Sequence, residues 1–245
     1  MKASVRAIKP RMFVKLAVVV VMTFALPSCG RTENYRYKLT LAVNTPTGVK
    51  RGSSVVEVLF RSVSFPDRGV MQELRGEALY LDLGPGARPL IALLTSRLHP
   101  RYGKAMRWTP DAGPSDNLLA QLYGPPLPDF MANISRIADM RGPHKITPDD
   151  LPDLVTFADI SDPNTVIEVD PNNLQATLGP DVSWNEITLE STDEPITTGI
   201  LTKLPWLPAH YRGMLDGRRY HDKNTVANTL SAADFDQSGD LERTK

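Results

Sequence analysis

The sequence predicts a β-rich α+β protein, built mainly from antiparallel strands as a sheet or sandwich, with a short helical or irregular insertion. Three observations support this prediction. Apolar and polar residues alternate through several short segments, turn residues separate those segments, and the chain contains 21 prolines. Alternation with period two is typical of a strand with one exposed face, and frequent prolines disfavour long helices.

The first predicted strand spans residues 35–43, YRYKLTLAV, in which tyrosine, leucine and valine lie on one face and arginine, lysine and threonine on the other. Pro46 and Gly48 follow at positions that suit a type I turn. A second β-rich run covers residues 53–65. We therefore expect these two segments to pair as an antiparallel hairpin.

A second hairpin is predicted between Leu79 and Leu94. Its turn contains Pro85 followed by Gly86, the pair that favours a type II turn because glycine accepts the positive φ at the third position. The strands up to residue 95 are expected to form one sheet.

Residues 99–150 are predicted to form the insertion. One helix is expected after the N-cap Ser115, ending at Gly124, and a second short helix at residues 129–140. Because connecting segments on a rigid scaffold often carry function, the insertion is the expected wall of any binding cleft.

β-structure is expected to resume after the insertion. Three more strands are predicted, at residues 153–160, 164–170 and 182–192. In the last of these, the alternation places Trp184 on the same face as Glu186. Further on, Trp206 and Tyr211 are expected to lie over a sheet, and residues 225–235 are predicted to form a short helix.

The N-terminus has the layout of a secretory signal. Five basic residues and no acid occur in residues 1–15, and residues 16–26 are uncharged and almost wholly apolar. Eleven helical residues extend about 16 Å, whereas a bilayer core is about 30 Å thick. The segment therefore predicts an export signal rather than a membrane span, with Met1 or Met12 as the start.

Residues 26–29, Leu-Pro-Ser-Cys, resemble the lipobox of bacterial lipoproteins, from which Pro27 departs. The resemblance implies cleavage before Cys29, diacylglycerol on its sulfur and acylation of the new N-terminus. The resemblance also implies an outer-membrane location facing the periplasm, because Gly30 stands where lipoproteins of Gram-negative bacteria that stay at the inner membrane tend to have an aspartate. The alternative is a chance cysteine in a signal peptide that is discarded.

These features divide the chain into four predicted parts. They are a lipoprotein signal peptide at residues 1–28, a tether at 29–34, a single β-rich domain at 35–235 and a flexible tail at 236–245.

The composition of the predicted mature protein excludes several functional classes. Its 217 residues contain 23 basic and 28 acidic residues, so its formal charge is about −5. This argues against nucleic-acid binding, which needs clustered lysine and arginine. Cys29 is the only cysteine, so acylation would leave no thiol for a disulfide, a zinc site or Cys-His catalysis.

The motif search predicts no catalytic, cofactor-binding or metal-binding residue. Residues 234–240, DFDQSGD, match the start of a calcium loop, but Lys245 stands where the bidentate glutamate is required. An acidic, solvated tail is the preferred interpretation. The four histidines do not show metal-ligand spacing, and the motifs of metalloproteases, serine hydrolases and P-loops are missing.

The body of the chain resembles a set of uncharacterised bacterial proteins over most of residues 35–235. The stretches that carry this resemblance include LVTFADISDPNTVIEVDPNNLQATLGP and TTGILTKLPWLPAHYRGMLDGRRY. The resemblance implies a shared fold and carries no activity over.

The functional prediction is a lipid-anchored envelope protein with a structural or binding role. Its predicted partners are the membrane, through the lipid anchor, and an envelope protein, and no nucleic acid. The alternative is a periplasmic hydrolase-like enzyme with a site among His210, Tyr211, His221 and Asp222, because a carboxylate can orient an imidazole. A third possibility is a subunit of a larger assembly.

Overall fold

The computed structural model of the protein describes residues 32–63, 69–98, 130–139 and 141–239. These residues form two antiparallel sheets and three short helices, which confirms the predicted β-rich α+β class.

The first sheet contains five strands in the order β3-β2-β1-β9-β6. Their bounds are β1 Thr32–Thr45, β2 Gly48–Val63, β3 Gly69–Arg75, β6 His144–Lys145 and β9 Ser183–Ser191. The predicted hairpin between β1 and β2 is confirmed, with Thr45 opposite Gly48. β6 lies within the predicted insertion at residues 99–150, yet it pairs with β9 and forms an edge of this sheet.

The second sheet contains four strands in the order β4-β5-β7-β8. Their bounds are β4 Leu79–Leu81, β5 Leu90–Ala92, β7 Leu154–Phe157 and β8 Val166–Val169. The hairpin of β4 and β5 is also confirmed, and its turn has Gly86 at φ +77° with the Ala87 amide donating to the Gly84 carbonyl at 3.1 Å. This is the geometry of the predicted type II turn.

The prediction of one sheet up to residue 95 is wrong, because the chain changes sheets at Gly76. Gly76 has φ +140°, and a Cβ there would lie 3.0 Å from the Val55 carbonyl oxygen and 3.2 Å from the Val56 Cα. Glycine therefore lets the chain pass close to β2 between the end of β3 and the start of β4. A hydrophobic pattern does not report such a crossing.

A shared hydrophobic core joins the two sheets. The first sheet contributes one face of β1, including Tyr37, Leu39 and Leu41, and the second sheet contributes Leu81 and Leu154 among others. From Tyr35 to Val43, every other residue of β1 is buried in this way, as the alternation predicted, and Ala42 is buried in addition.

A β-bulge brings Trp184 into this core. The pairing of β1 with β9 shifts register between Ala42 and Val43, so that Ala42 faces Glu186 while Val43 faces Trp184. The extra residue returns Trp184 to the inner face, where it packs against the core and its indole Nε1 donates to the Pro171 carbonyl at 2.8 Å. The expectation that Trp184 shares a face with Glu186 is therefore wrong.

The far side of the second sheet is covered by the C-terminal part of the chain. Ile91, Val155 and Phe157 point to this side and form a second core with residues from the segment 200–235. The indole of Trp206 lies 5.5 Å from the ring of Phe157, edge-on, and Tyr211 packs against the same cluster. The expected position of both aromatic residues over a sheet is confirmed.

The C-terminal layer contains short helical pieces rather than one helix over residues 225–235. Helix α3 is Val226–Thr229, and a separate 3₁₀ turn is Ala232–Asp234. Leu230 between them is extended and fully buried, and its carbonyl accepts from the Leu215 amide at 2.9 Å. The helix ends at Leu230 because this residue adopts an extended backbone conformation, in which its side chain is buried in the second core.

The fold continues past the predicted boundary at residue 235. Asp236 is 2% exposed and forms an antiparallel bridge with Glu77, and the Gln237 amide donates to the Gly76 carbonyl at 2.9 Å. The prediction of a flexible tail from residue 236 is therefore wrong for these residues.

The other helices lie at the margins of the sheets. Helix α1, Phe130–Asp139, confirms the helix predicted at residues 129–140 and packs against β1 and β9. Its Ile134 is buried, and the Ser135 hydroxyl donates to Glu33 Oε2 at 2.9 Å. Helix α2 is Gln175–Leu178. The helix predicted after Ser115 lies outside the described residues.

Residues 192–199 cross the outer face of the first sheet, and we call this segment the 192–199 strap. Lys38 Nζ contacts Glu194 Oε1 at 2.6 Å, and the Thr197 amide donates to the Val55 carbonyl at 3.0 Å on the free side of β2. Val55 shares the outer face with Lys38 and is only 3% exposed. The strap thus covers one end of an otherwise polar face and leads the chain to the C-terminal layer.

Candidate functional site

An open groove of about 480 Å³ lies on the outer face of the first sheet, and its lining includes Pro143 and Lys38, whose ammonium group contacts Glu194 of the 192–199 strap. We call it the outer-face groove. Its floor is a row of residues that the strand register places side by side: Ser53 opposite Thr40, Thr40 opposite Thr188, and Thr188 opposite Lys145. Directly opposed residues have Cβ atoms about 4.5–5.5 Å apart, so three hydroxyl groups and an ammonium group form a continuous polar line.

Charged side chains flank the hydroxyl row on both sides. Arg51 Nη2 lies 2.6 Å from Glu186 Oε2, next to Ala42 on β1. On the other side Lys38 is opposite Glu190 in the register, but its ammonium group contacts Glu194 of the strap instead. The groove thus combines cationic and anionic groups with neutral hydroxyls.

Two charges in the groove are available to a ligand. Neither Lys145 nor Glu190 forms an ion pair with any residue that the structure describes, and Lys145 is exposed. Arg51 and Lys38, in contrast, are each neutralised by a glutamate. A ligand with an acidic and a basic group could therefore pair with Lys145 and Glu190 without breaking an existing ion pair.

The strap is held in place independently of the groove floor. Arg141 Nη2 contacts Asp193 at 2.9 Å, and the Arg36 guanidinium donates to the Glu194 carbonyl at 3.3 Å. At its end, Glu77 accepts hydrogen bonds from the Gly199 and Ile200 amides. Contacts near both of its ends therefore hold the strap, which meets the groove through the ion pair of Glu194 with Lys38.

The lining of the groove contains hydroxyl, carboxylate, ammonium and guanidinium groups. No histidine or cysteine lines it, so its hydroxyl groups have no imidazole or thiolate next to them. Within the described ranges, no group of three or more histidine, cysteine, aspartate or glutamate residues is arranged to hold a metal ion.

A second open groove, of about 370 Å³, lies among the turns at residues 45–48 and 84–87 and the segment 178–182. Its walls include Pro46, Pro85 and Pro180, and Asp181 is the one charged residue in its lining. Because it offers few directed polar groups, it provides less basis for specific recognition than the outer-face groove.

In the predicted enzyme site, the two histidines and Asp222 each have a different hydrogen-bond partner. The His210 ring Nδ1 faces the Met214 carbonyl at 3.1 Å, and the His221 Nδ1 faces the Asn228 carbonyl at 2.8 Å. Asp222 instead pairs with Arg218, at 2.7 Å. Each imidazole is thus bonded to a backbone carbonyl, and neither is oriented by the carboxylate of Asp222.

The calcium-like sequence begins with an aspartate that is already neutralised. Asp234 is fully buried, and its Oδ1 lies 2.9 Å from Arg97 Nε. Its Oδ2 accepts from the Ser231 amide at 2.7 Å and caps the last 3₁₀ turn. A guanidinium at this position opposes cation binding, and Asp240 and Lys245 lie outside the described residues.

The acids at residues 149–162 act mainly as caps and turn residues. Asp150 closes a capping box with Thr147, and Asp162 accepts from the Asn164 amide. Asp153 differs, because it is 9% exposed and accepts from the Leu98 amide at 2.7 Å.

Sequence reasoning missed the hydroxyl row. The alternation at residues 35–43 placed Thr40 on the wet face, but only the register of four strands brings it into one row with Ser53, Thr188 and Lys145. The predicted lipidation residue, Cys29, lies outside the described residues.

Among the described residues, none of the helices has both the length and the apolar character needed to span a bilayer. Comparisons of the chain with protein-family models, with curated proteins and with solved structures found no match.

Proposed function

We propose that the protein is a lipid-anchored binding protein of the cell envelope and that the outer-face groove is its binding surface. The single observation that carries the binding role is the groove, where a row of hydroxyl groups ends at Lys145 and has Glu190 beside it on β9. Neither of these two charges has an ion-pair partner in the described part of the chain. The resemblance of residues 26–29 to a lipobox supports the anchor, with residues 29–34 as the tether.

The groove favours a ligand that carries both an acidic and a basic group, such as a peptide-like chain of the envelope or an exposed segment of another envelope protein. Lys145 would pair with the acidic group and Glu190 with the basic group, while the three hydroxyl groups donate or accept as the ligand requires. The proposed location is the outer membrane, facing the periplasm.

The binding role is tested by charge reversal in the groove. Lys145→Glu and Glu190→Lys are made in the full chain, with Arg88→Glu, an exposed arginine outside the groove, as the matched control. Surface changes of this kind alter stability by less than about 0.5 kcal/mol. Each variant is purified from envelopes after crosslinking, and the crosslinked molecules are quantified by mass spectrometry.

The expected result is that both groove variants lose a species that wild type and Arg88→Glu retain. If all four proteins carry the same species in the same amounts, the groove is not the binding surface. The anchor is tested separately by detergent-phase partitioning of wild type and Cys29→Ser. Equal partitioning of these two proteins would refute the anchor and leave the groove untouched.

A further inference from the structure

An exposed basic loop covers residues 212–223 in the C-terminal layer. It contains four basic residues, Arg212, Arg218, Arg219 and Lys223, and two acids, so its formal charge is +2. The predicted mature protein as a whole is acidic, at about −5. The loop is therefore a local exception to the charge of the protein.

A fully buried amide side chain sets the shape of this loop. Asn228 is 0% exposed, and its Oδ1 accepts from the Asp222 amide at 2.7 Å and from the Lys223 amide at 2.6 Å. Its Nδ2 donates to Asp216 Oδ2 at 2.9 Å and to the Tyr220 carbonyl at 3.3 Å. An asparagine side chain has two donor hydrogens and an acceptor with two lone pairs, so all of its capacity is used on the loop.

The start of the loop is closed by a tight backbone contact. The Met214 amide donates to the Arg218 carbonyl at 2.7 Å, and a Cβ on Gly213 would lie 2.6 Å from that same oxygen. Only glycine fits there without a shift of the chain. Leu215, between these residues, is fully buried. The loop is thus preorganised from within, which lowers the entropic cost of binding.

The preorganised loop presents cations and an aromatic ring to solvent. Tyr220 is 67% exposed, and the Arg219 guanidinium carbon lies 5.4 Å from the centre of its ring. Arg218 is neutralised by Asp222 at 2.7 Å. Arg212, Arg219 and Lys223 form no ion pair with any residue in the described ranges.

We propose that this loop docks on the anionic headgroups of a lipid bilayer. Lysine and arginine are attracted to anionic lipid surfaces, and tyrosine is enriched at the headgroup level because its ring is apolar and its hydroxyl polar. An anionic surface repels the acidic remainder of the protein. The loop would therefore set the orientation of the protein, with the loop side facing the bilayer. The inference rests on the proposed envelope location for access to a bilayer, and it does not involve the outer-face groove.

The test is a chemical footprint of Tyr220 in the full chain. The protein is incorporated into vesicles of phosphatidylcholine alone or with one third phosphatidylglycerol, and the vesicle-bound fraction is isolated by flotation. The rate of tyrosine nitration is then measured residue by residue by mass spectrometry. Tyr35 and Tyr37, which are buried, serve as internal references.

We expect nitration of Tyr220 to be at least five-fold slower on anionic than on neutral vesicles, and the difference to disappear in 1 M salt, where the Debye length is about 3 Å. The double variant Arg219→Ala/Lys223→Ala removes two cations, each of which contributes about 1 kcal/mol of surface attraction, so docking weakens about 30-fold. The protection should then be lost. Arg61→Ala/Arg88→Ala, which removes two exposed arginines elsewhere, should keep it.

Equal nitration rates on the two kinds of vesicle would overturn the proposal, as would protection that survives in the Arg219/Lys223 variant. Protection by soluble heparin but not by anionic vesicles would also overturn it, in favour of a soluble polyanion. A chain that fails to float with vesicles contradicts the proposed anchor, whereas a chain that floats without protection of Tyr220 contradicts only the docking loop.

Discussion

Replacement of Glu77 by alanine should destabilise the protein strongly, because this carboxylate ties the strap to the sandwich. Glu77 is 2% exposed and lies between β3 and β4. Its Oε1 accepts from the Gly199 amide at 2.9 Å and its Oε2 from the Ile200 amide at 2.8 Å. Both bonds join segments that are more than 120 residues apart in the sequence.

The expected loss follows from the number of bonds to the charged group. A hydrogen bond to an ionised group contributes about 1.5–3 kcal/mol, so Glu77→Ala should lower the free energy of unfolding by about 3–6 kcal/mol. Glu77→Gln retains one carbonyl oxygen but turns an NH₂ group toward the second amide, and it should lose about half of that amount. The measurement is urea unfolding followed by circular dichroism, with the midpoint shifted and the slope unchanged.

The matched control is Glu73→Ala. Glu73 is exposed and pairs with Arg75 at 2.8 Å on the surface, an arrangement that contributes about 0–1 kcal/mol. If Glu77→Ala and Glu73→Ala unfold at the same urea concentration, the carboxylate does not anchor the strap. If Glu77→Gln is as stable as wild type, the assignment of one essential bond to each oxygen is refuted.

Three further predictions concern single positions. Gly86→Ala should lower the free energy of unfolding by about 1–2 kcal/mol, because φ +77° strains an L-residue even though the added Cβ would meet no atom within 4 Å. An unchanged melting temperature would contradict this prediction. Trp206→Ala should lower the free energy of unfolding, measured by thermal unfolding, by about 3–5 kcal/mol. Trp206→Phe should lower it by about 1 kcal/mol, because the hydrogen bond from the indole to the Ile160 carbonyl is lost. Asn228→Ala should increase hydrogen exchange at the Asp222 amide at least ten-fold without unfolding the sheets, whereas unchanged exchange would show that the loop does not depend on this side chain.

The parts of the fold that depend on local pattern were predictable from the sequence. The alternation at residues 35–43 follows directly from a strand with one buried face, and the Pro85-Gly86 pair follows from the φ that its turn requires. The division into two sheets was not predictable in this way, because it depends on the close passage of Gly76 over β2. Contacts between distant segments leave no periodicity in either segment.

Two apolar segments without alternation carry a signal of the second sheet in the sequence. Sequences such as RPLIALL and DLVTF are apolar without alternation, which is typical of strands that are buried on both faces. The structure shows this arrangement, since Leu154, Val155, Thr156 and Phe157 of β7 are all at most 1% exposed. The absence of alternation therefore indicated a covering layer on the far side of the sheet.

The candidate site was less accessible to sequence reasoning than the fold. Ser53, Thr40, Thr188 and Lys145 become neighbours only through the register of four strands. The role of Asn228 is equally hidden, because a buried asparagine and an exposed one look alike in a sequence. A binding site made of common residue types such as serine, threonine and lysine can be recognised only once the three-dimensional structure is known.

The C-terminal layer has a consequence for the order in which the chain can mature. Ile91 and Phe157 lie in the first two thirds of the sequence, yet the residues that cover them, such as Leu215 and Phe235, are synthesised last. Because the chain is synthesised from its N-terminus, the apolar far face of the second sheet stays exposed to solvent until nearly the whole chain has been made. We expect a chain that ends before Phe235 to leave this apolar face exposed and therefore to be prone to aggregation and proteolysis.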